Sequence, residues 1–192
     1  TAAQTHKLIV SNRLAGDQFA NSVLATGNYA VVGAHAHDGT MGSVFVFDLS
    51  TGAFLRRLKA DDRATGDYFG RSLGVKDTQL FIGATSASSP LNNDAGAVYI
   101  FDLNSTAQLH KMSADDGDVS DFFGNSLSIS SNTVIIGANG VGYNGNGSDQ
   151  GAVYTFNLGA EPEVSFPYSE SFESSLGKWA QEAGDDGDWS RF

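Results

Sequence analysis

The segment Gly66-Asp67-Tyr68-Phe69-Gly70-Arg71-Ser72 indicates the fold, because close copies of it occur at two other places in the chain. The copies are Gly16-Asp17-Gln18-Phe19-Ala20-Asn21-Ser22 and Ser120-Asp121-Phe122-Phe123-Gly124-Asn125-Ser126. The central Phe of each copy lies 50 and then 54 positions after the one before it. A repeat at this period is typical of propellers and solenoids.

Two further boxes follow each copy in the same order. A Gly-Ala pair ends a short apolar run at Val31-Val32-Gly33-Ala34, Phe81-Ile82-Gly83-Ala84 and Ile135-Ile136-Gly137-Ala138. A Gly-led apolar run then closes each repeat at residues 42–49, 96–103 and 151–158. We expect the Gly of each Gly-Ala pair to allow close backbone packing where its strand ends.

Each repeat reads as four short strands, which in the second repeat are residues 69–75, 79–84, 97–103 and 108–113. Val, Ile, Phe and Tyr dominate the middle two, as in strands that are buried on both faces. No stretch keeps a helical period. The sequence therefore predicts an all-β fold of β-propeller blades, each of four antiparallel strands. A β-solenoid is the runner-up, although its repeats are usually shorter.

Composition excludes several classes of function. The 192 residues carry a net charge of −11, which argues against nucleic acid or anionic membranes as partners. With 0 Cys, the chain has no disulfide scaffold and no zinc–thiolate site. No apolar run approaches the roughly 20 residues that a membrane span needs.

The order of the strands bears on how a ring could close. Residues 7–10 resemble a fourth strand, because Val10-Ser11-Asn12-Arg13 corresponds to Ala60-Asp61-Asp62-Arg63. The third repeat has no fourth strand of its own. Residues 1–158 thus form three blades, at about 7–57, 58–110 and 111–158. Because propeller rings have four to eight blades, we expect either blades outside this sequence or further copies of the chain to complete the ring.

The boxes resemble the FG-GAP repeat of bacterial surface proteins and, in a related form, of integrin α chains. The resemblance rests on Phe69-Gly70, Phe123-Gly124 and Gly83-Ala84, covers about residues 7–158, and departs at Phe19-Ala20. It implies a propeller and a role in adhesion or recognition. The Asp-rich calcium loop of integrin blades is replaced here by short turns with at most one carboxylate, Asp77, so those calcium sites are not expected.

Composition changes after residue 158. Residues 159–167 read as a linker. Residues 168–192 resemble the start of a MAM domain, an extracellular jelly-roll adhesion module, through Phe172-Glu173, Gly177-Lys178-Trp179 and Asp185-Asp186-Gly187-Asp188-Trp189. An acidic tail is the alternative. Because the MAM-like stretch is far shorter than such a domain, we expect the sequence to belong to a longer protein.

Side-chain oxygens in the loops before each third strand are the kind that calcium prefers. The calcium candidates are Asn92, Asn93, Asp94, Asn144, Asn146 and Asp149, with Asp185, Asp186 and Asp188 in the MAM-like stretch. Turn formation is the alternative interpretation. No cofactor is required by this interpretation, and these loops could hold calcium. His35 and His37 could form a metal pair, but exposed loop residues are the favoured interpretation.

No motif for nucleophilic, phosphate-binding or zinc-dependent catalysis occurs. The pairs Asp61-Asp62 and Asp115-Asp116 recur with the repeat, which favours a structural role over a catalytic one. We expect a non-catalytic binding or adhesion module of a secreted or cell-surface bacterial protein, which recognises an extracellular protein or glycan through propeller loops. The alternatives are the accessory region of a secreted hydrolase whose catalytic domain lies elsewhere, and a structural unit of a self-assembling surface polymer.

Overall fold

The computed structural model describes residues 3–88, 94–142 and 150–159. The chain divides into two compact units, Thr1–Leu158 and Gly159–Phe192, and the first holds the three repeats. The linker and the MAM-like stretch lie outside the described residues, apart from Gly159, so the interpretation of both stays a prediction.

Eleven β-strands form the described part of the repeats. They are β1 (Ser22–Thr26), β2 (Tyr29–Ala34), β3 (Ser43–Asp48), β4 (Phe54–Leu58), β5 (Phe69–Lys76), β6 (Gln79–Ala84), β7 (Ala97–Asp102), β8 (Gln108–Met112), β9 (Phe123–Ser130), β10 (Thr133–Ala138) and β11 (Ala152–Asn157). The described residues include no helix, and therefore none that could cross a membrane. The all-β prediction is confirmed.

The strands form three antiparallel sheets, which are the predicted blades. Their orders are β1-β2-β3-β4, β5-β6-β7-β8 and β9-β10-β11. Each sheet is an up-and-down meander in which neighbours along the chain are neighbours in the sheet. Short turns join the first strand to the second, and loops join the second to the third, so each pair is antiparallel. The third sheet has three strands in the described residues, as predicted.

Strand boundaries differ from the prediction by one residue at three ends. The first strand of the second blade continues to Lys76, the third stops at Asp102, and the fourth stops at Met112. Leu103 leaves the ladder because its amide donates to the carbonyl of Thr78 at 2.8 Å. This bond ties the loop after β7 to the β5–β6 turn.

The blades stack face to face through apolar clusters. One cluster joins the first two sheets, with Val31 and Val46 from the first and Phe69, Ile82 and Tyr99 from the second. A second cluster joins the second and third sheets in the same way. This stacking buries the middle strands of the second sheet on both faces, as their apolar composition predicts.

Residues 7–10 were predicted to resemble a fourth strand, but they do not form a strand in the described structure. An extended segment becomes a strand only when its backbone pairs with a neighbour, and these residues have no such ladder. Leu8 and Val10 instead pack on the outer apolar cluster of the first sheet, where Val10 is 6% exposed.

Candidate functional site

The Phe of each Phe-Gly box is the anchor of its blade. Phe69 is fully buried and meets Tyr99 and Phe101 edge-on, with ring centroids 5.5 and 5.7 Å apart. Phe123 makes the corresponding contacts with Tyr154 and Phe156 in the third blade. The conspicuous aromatic residues of the repeat therefore belong to the core.

The Gly positions mark where two blades approach each other most closely. The Ser22 hydroxyl donates to the Gly70 carbonyl of the next blade at 2.7 Å, and Ser72 donates to Gly124 at the same distance. A Cβ on Gly33 would lie 2.2 Å from the Gly70 oxygen. The predicted role of the Gly-Ala glycine in close packing is confirmed at Gly33 and Gly83; an added Cβ on Gly137 would meet only Ser126 of its own blade.

The Asp that precedes each Phe-Gly box is buried and holds the turn before it. Asp17, Asp67 and Asp121 are each 6% exposed. Each carboxylate accepts a hydrogen bond from the backbone amide three residues earlier, at 2.6, 2.6 and 2.7 Å. Burial raises the pKa of Asp67 above its usual range. The sequence analysis assigned no role to these three Asp residues, although their fixed position in the repeat indicates a structural one.

The second Asp of each acidic pair binds a tyrosine of the blade that follows. The Tyr99 hydroxyl donates to Asp62 at 2.8 Å, and Lys111 donates to the other oxygen at 2.6 Å. Burial opposes ionisation of Asp62, but these two hydrogen bonds outweigh it and hold its pKa below its usual value. In the third blade, burial and a hydrogen bond with Asp116 raise the pKa of Tyr154 to about 12.

The first blade carries a different pair at the same positions. Asn12 corresponds to Asp62 and Phe45 to Tyr99, so the acid is present only where there is a hydroxyl to bind. The structural role that the repeat predicts for the acidic pairs is thus supported at Asp62 and Asp116, although the partners are side chains rather than turn backbone.

We expect Asp62→Ala to lower the free energy of unfolding by about 1–3 kcal/mol, because it leaves the buried Tyr99 hydroxyl without its acceptor. Asp62→Asn combined with Tyr99→Phe copies the first-blade pair and should be close to wild type. Urea unfolding checks both.

The pH dependence of Asp62→Ala provides a second readout. The folded-state pKa of Asp62 is lowered, so its contribution is present above its unfolded value of 3.8 and is lost as pH falls through the lower folded value. Stability of the variant should therefore fall less than wild-type stability below about pH 4. Equal acid sensitivity of both proteins would contradict this role of Asp62.

The three blades together form a cleft of about 310 Å³. Its lining residues are His35, Tyr68, Arg71, Thr85, Phe122, Asn125 and Asn139. All of them come from three repeat positions: directly after each Gly-Ala pair, directly before the box Phe, and directly after Phe-Gly. The cleft is therefore a product of the repeat, with side chains that vary from blade to blade.

Among the residues that the structure describes, Arg71 is the only charged side chain that lines the cleft. Its Nε donates to the Asn125 side-chain oxygen at 3.1 Å, and its Nη1 donates to that of Asn21 at 3.4 Å. Asn21, Arg71 and Asn125 occupy the same repeat position. Arg71 lies on β5 and Asn125 on β9, whereas Asn21 directly precedes β1. The two amides hold the guanidinium across the junction of the three blades.

His35 forms another wall of the cleft and is 6% exposed. Its ring lies 5.9 Å from that of Tyr68, and its Nδ1 is buried without a hydrogen-bond partner among the described residues. Burial, followed by the nearby Arg71, lowers the pKa of His35. The ring is therefore neutral at pH 7 and offers a polar atom to a ligand.

His37 does not form a metal pair with His35. It is 3% exposed, meets the Phe45 ring edge-on, and contacts Arg57 through Nδ1 at 3.0 Å. The interpretation of both histidines as exposed loop residues is wrong, because the loop after β2 folds inward over the Phe45 ring. Within the described ranges, no group of three or more His, Asp or Glu side chains is arranged to hold a metal ion.

Asp94 is the one calcium candidate among the described residues. It is exposed and has a φ of 60°, and its carbonyl accepts the amide of Ser120 at 3.1 Å. The other candidates lie outside the described residues and stay predictions: Asn92, Asn93, Asn144, Asn146, Asp149, Asp185, Asp186 and Asp188.

We expect EDTA to leave the thermal midpoint of unfolding unchanged, because the turn at Asp77 replaces the integrin-type loop. Calcium at 100 times its dissociation constant would stabilise the chain by about 2.7 kcal/mol. For a domain of this size, that stabilisation would raise the thermal midpoint by roughly several degrees. Differential scanning calorimetry with and without 5 mM calcium measures the midpoint. A rise of this size would establish a calcium site.

Antiparallel four-stranded sheets that stack through Phe-Gly junctions define a protein built of β-propeller blades. The FG-GAP repeat family matches residues 3–47, 54–101 and 106–156. The chain therefore belongs to the FG-GAP repeat family, whose repeats are commonly adhesion or recognition modules. No curated protein is detectably similar to it.

Proposed function

We propose that this chain is a non-catalytic recognition module of a secreted or cell-surface bacterial protein, and that the Arg71 cleft binds its ligand. The observation that carries the proposal is the guanidinium of Arg71 in a cleft whose other described lining residues are neutral polar and aromatic side chains. Its ligand class is an acidic glycan. No cofactor takes part in this binding.

The chemistry of the lining supports a sugar acid. A guanidinium binds a carboxylate through two parallel hydrogen bonds. Asn125, Asn139 and Thr85 supply amide and hydroxyl groups suited to sugar hydroxyls. Tyr68 and Phe122 supply apolar surface for the less polar faces of the ring. The volume of about 310 Å³ lies at the lower end of the usual range for small-ligand sites, which suits one or two sugar units.

The net charge of −11 sets the conditions for such binding. Long-range repulsion opposes an acidic ligand at low ionic strength, but it is screened beyond about 8 Å at physiological salt. Binding should therefore weaken, not strengthen, when salt is reduced well below that level. A ligand attracted by the net charge of the protein would show the opposite salt dependence, with tighter binding at low salt.

The test is binding of the purified chain to an array of acidic and neutral glycans, followed by calorimetry on the best acidic one. We expect Arg71→Met to weaken that binding at least about 10-fold, since a charge-assisted hydrogen bond contributes about 1.5–3 kcal/mol. Arg13→Met is the matched control, because it removes the same charge at an exposed position outside the cleft.

Two outcomes would contradict the proposal. One is equal loss of binding in both Arg variants, and the other is binding only to neutral glycans or to peptides. A pH series gives a further readout, because a bound carboxylate favours the protonated form of His35. Affinity for an acidic sugar should therefore rise as pH falls from 7.5 to 5.5, whereas affinity for a neutral sugar should not.

A further inference from the structure

The side chains on the outer face of the third sheet occupy the repeat positions that face the next blade in the other two sheets. We define the open face by its residues, which are Ser126, Ser128, Ile135, Gly137, Val153 and Thr155. In the second sheet, Phe81 and Val98 occupy the positions of Ile135 and Val153 and are fully buried. Ile135 is 42% and Val153 67% exposed.

A groove of about 390 Å³ crosses this open face, with Ser126, Gly137, Gly151 and Val153 on its walls. The equivalent residues of the first blade surround Phe69-Gly70. The Ser22 hydroxyl binds the Gly70 carbonyl, and Cβ atoms added to Gly33 and Gly42 would meet Gly70 and Phe69. A Cβ added to Gly70 would in turn lie 3.2 Å from Val44. The groove therefore has the shape that holds a Phe-Gly box elsewhere in the chain.

The bonds made at each internal junction are missing on the open face in the part that the structure describes. Gly42 bridges to Phe69 and Gly96 to Phe123, but Gly151 has no such bridge. Ser22 and Ser72 donate to the next blade, whereas the Ser126 hydroxyl makes no such bond among the described residues. A Cβ on Gly151 would meet nothing nearer than 3.5 Å.

Along residues 152–156, the outer edge of β11 also has no strand partner among the described residues. In the first two sheets the third strand pairs with a fourth, as β3 with β4 and β7 with β8. β11 pairs with β10 alone. An unpaired strand edge next to an apolar face is a template for one more strand.

The other end of the same chain presents the complementary surface. Leu8 and Val10 pack on the outer cluster of the first sheet, as Leu58 and Ala60 pack on the cluster joining the first two sheets. Residues 4–8 thus lie where the fourth strand of a preceding blade would lie, without a ladder partner. Beside them Phe19 meets Phe45 and Phe47, as Phe69 meets the rings of its own blade.

We propose that the open face binds the first blade of a second copy of this chain, with residues 4–8 of that copy added to β11 as its fourth strand. The register follows from the repeat: Leu8 lies opposite Val153, as Leu58 lies opposite Val44 and Met112 opposite Val98. The Phe19 box of the second copy enters the groove. A second copy is the occupant because one chain carries both halves of the junction.

Two copies joined in this way supply six blades, which is within the four to eight of known rings, whereas three copies would supply nine. We therefore expect the head-to-tail contact to close at two copies, so that no open face remains.

Ala20 makes this junction weaker than the internal ones. It stands in place of Gly70 and Gly124, where an added Cβ would lie 2.9 Å from the Ser43 carbonyl and 2.7 Å from the Ala97 carbonyl. Ala20 already has the positive φ of that position, 68°. Only its methyl group therefore crowds the groove, and Ala20→Gly should tighten the contact between copies about 10-fold.

The experiment is sedimentation equilibrium of the full chain over a concentration series. We expect a concentration-dependent rise from 20.2 kDa towards twice that mass. Val153→Glu, on the open face, should keep the chain monomeric. So should removal of residues 1–8, which takes away the added strand. Val119→Glu is the control, because Val119 is 57% exposed and lies outside the open face.

Mixing the two monomeric variants is the decisive step. The shortened chain keeps the open face and the Val153→Glu chain keeps the added strand, so together they should form a one-to-one complex that neither forms alone. Circular dichroism confirms that both are folded. A chain that stays at 20.2 kDa at all concentrations overturns the proposal, as does an assembly that both variants leave intact, or a mixture with no complex.

Discussion

Gly42→Ala is expected to destabilise the chain by about 3 kcal/mol or more, through crowding against the next blade and strain at a positive φ. Gly42 has a φ of 83°, and an added Cβ would lie 2.0 Å from the Phe69 carbonyl oxygen and 2.5 Å from its amide nitrogen. Neither backbone atom can move without separating the first two blades. The free energy of unfolding from urea titration measures the effect.

The matched control is Gly151→Ala. Gly151 holds the same repeat position with a φ of 77°, but an added Cβ would meet nothing nearer than 3.5 Å. We expect a loss of about 1 kcal/mol, which is the cost of the left-handed conformation alone. Both titrations are run at low concentration, where the chain is monomeric. Equal losses in the two variants would mean that strain, and not contact between blades, explains the Gly at this position.

Phe69→Ala should have the second large effect, a loss of about 3–5 kcal/mol. Phe69 is fully buried between the first two blades, so its removal leaves a cavity lined by Tyr99 and Phe101. Phe19→Ala is the comparison at the equivalent position of the first blade. Its ring is partly exposed, so we expect roughly half the loss.

The difference between these two Phe variants tests where the core lies. If Phe19→Ala were as costly as Phe69→Ala in the dilute chain, then the outer side of the first blade would be as well packed as an internal junction. At high concentration the two losses should converge, because docking of a second copy buries Phe19 in the proposed assembly.

The repeat allowed most of the fold to be predicted. Gly-Ala boxes, apolar middle strands and short turns recur at a fixed spacing, and each has one physical interpretation, so the blades and their strand order follow from local pattern. Boundaries such as Leu103 did not follow, because a loop-to-turn hydrogen bond ends the strand there.

The candidate site was less predictable. The cleft takes one lining residue from the first blade and three from each of the other two, and these residues are far apart in sequence, so no motif marks them. His35 and His37 were predicted to be exposed, because a loop with His, Asp and Gly reads as polar surface. The inward path of that loop, with Phe45 beneath His37, is a tertiary contact.

The class of fold, the number of repeats and the blades to which they correspond follow from the amino-acid sequence alone, because these depend on short-range periodicity and on the conformational freedom of Gly. Which of the equivalent positions are buried, and which remain exposed, depends on the tertiary contacts. Gly42 and Gly151, or Val98 and Val153, are equivalent in sequence, yet one of each pair faces a neighbouring blade and the other does not. Burial depends on what packs against a residue, and the repeat motif by itself does not specify that neighbour.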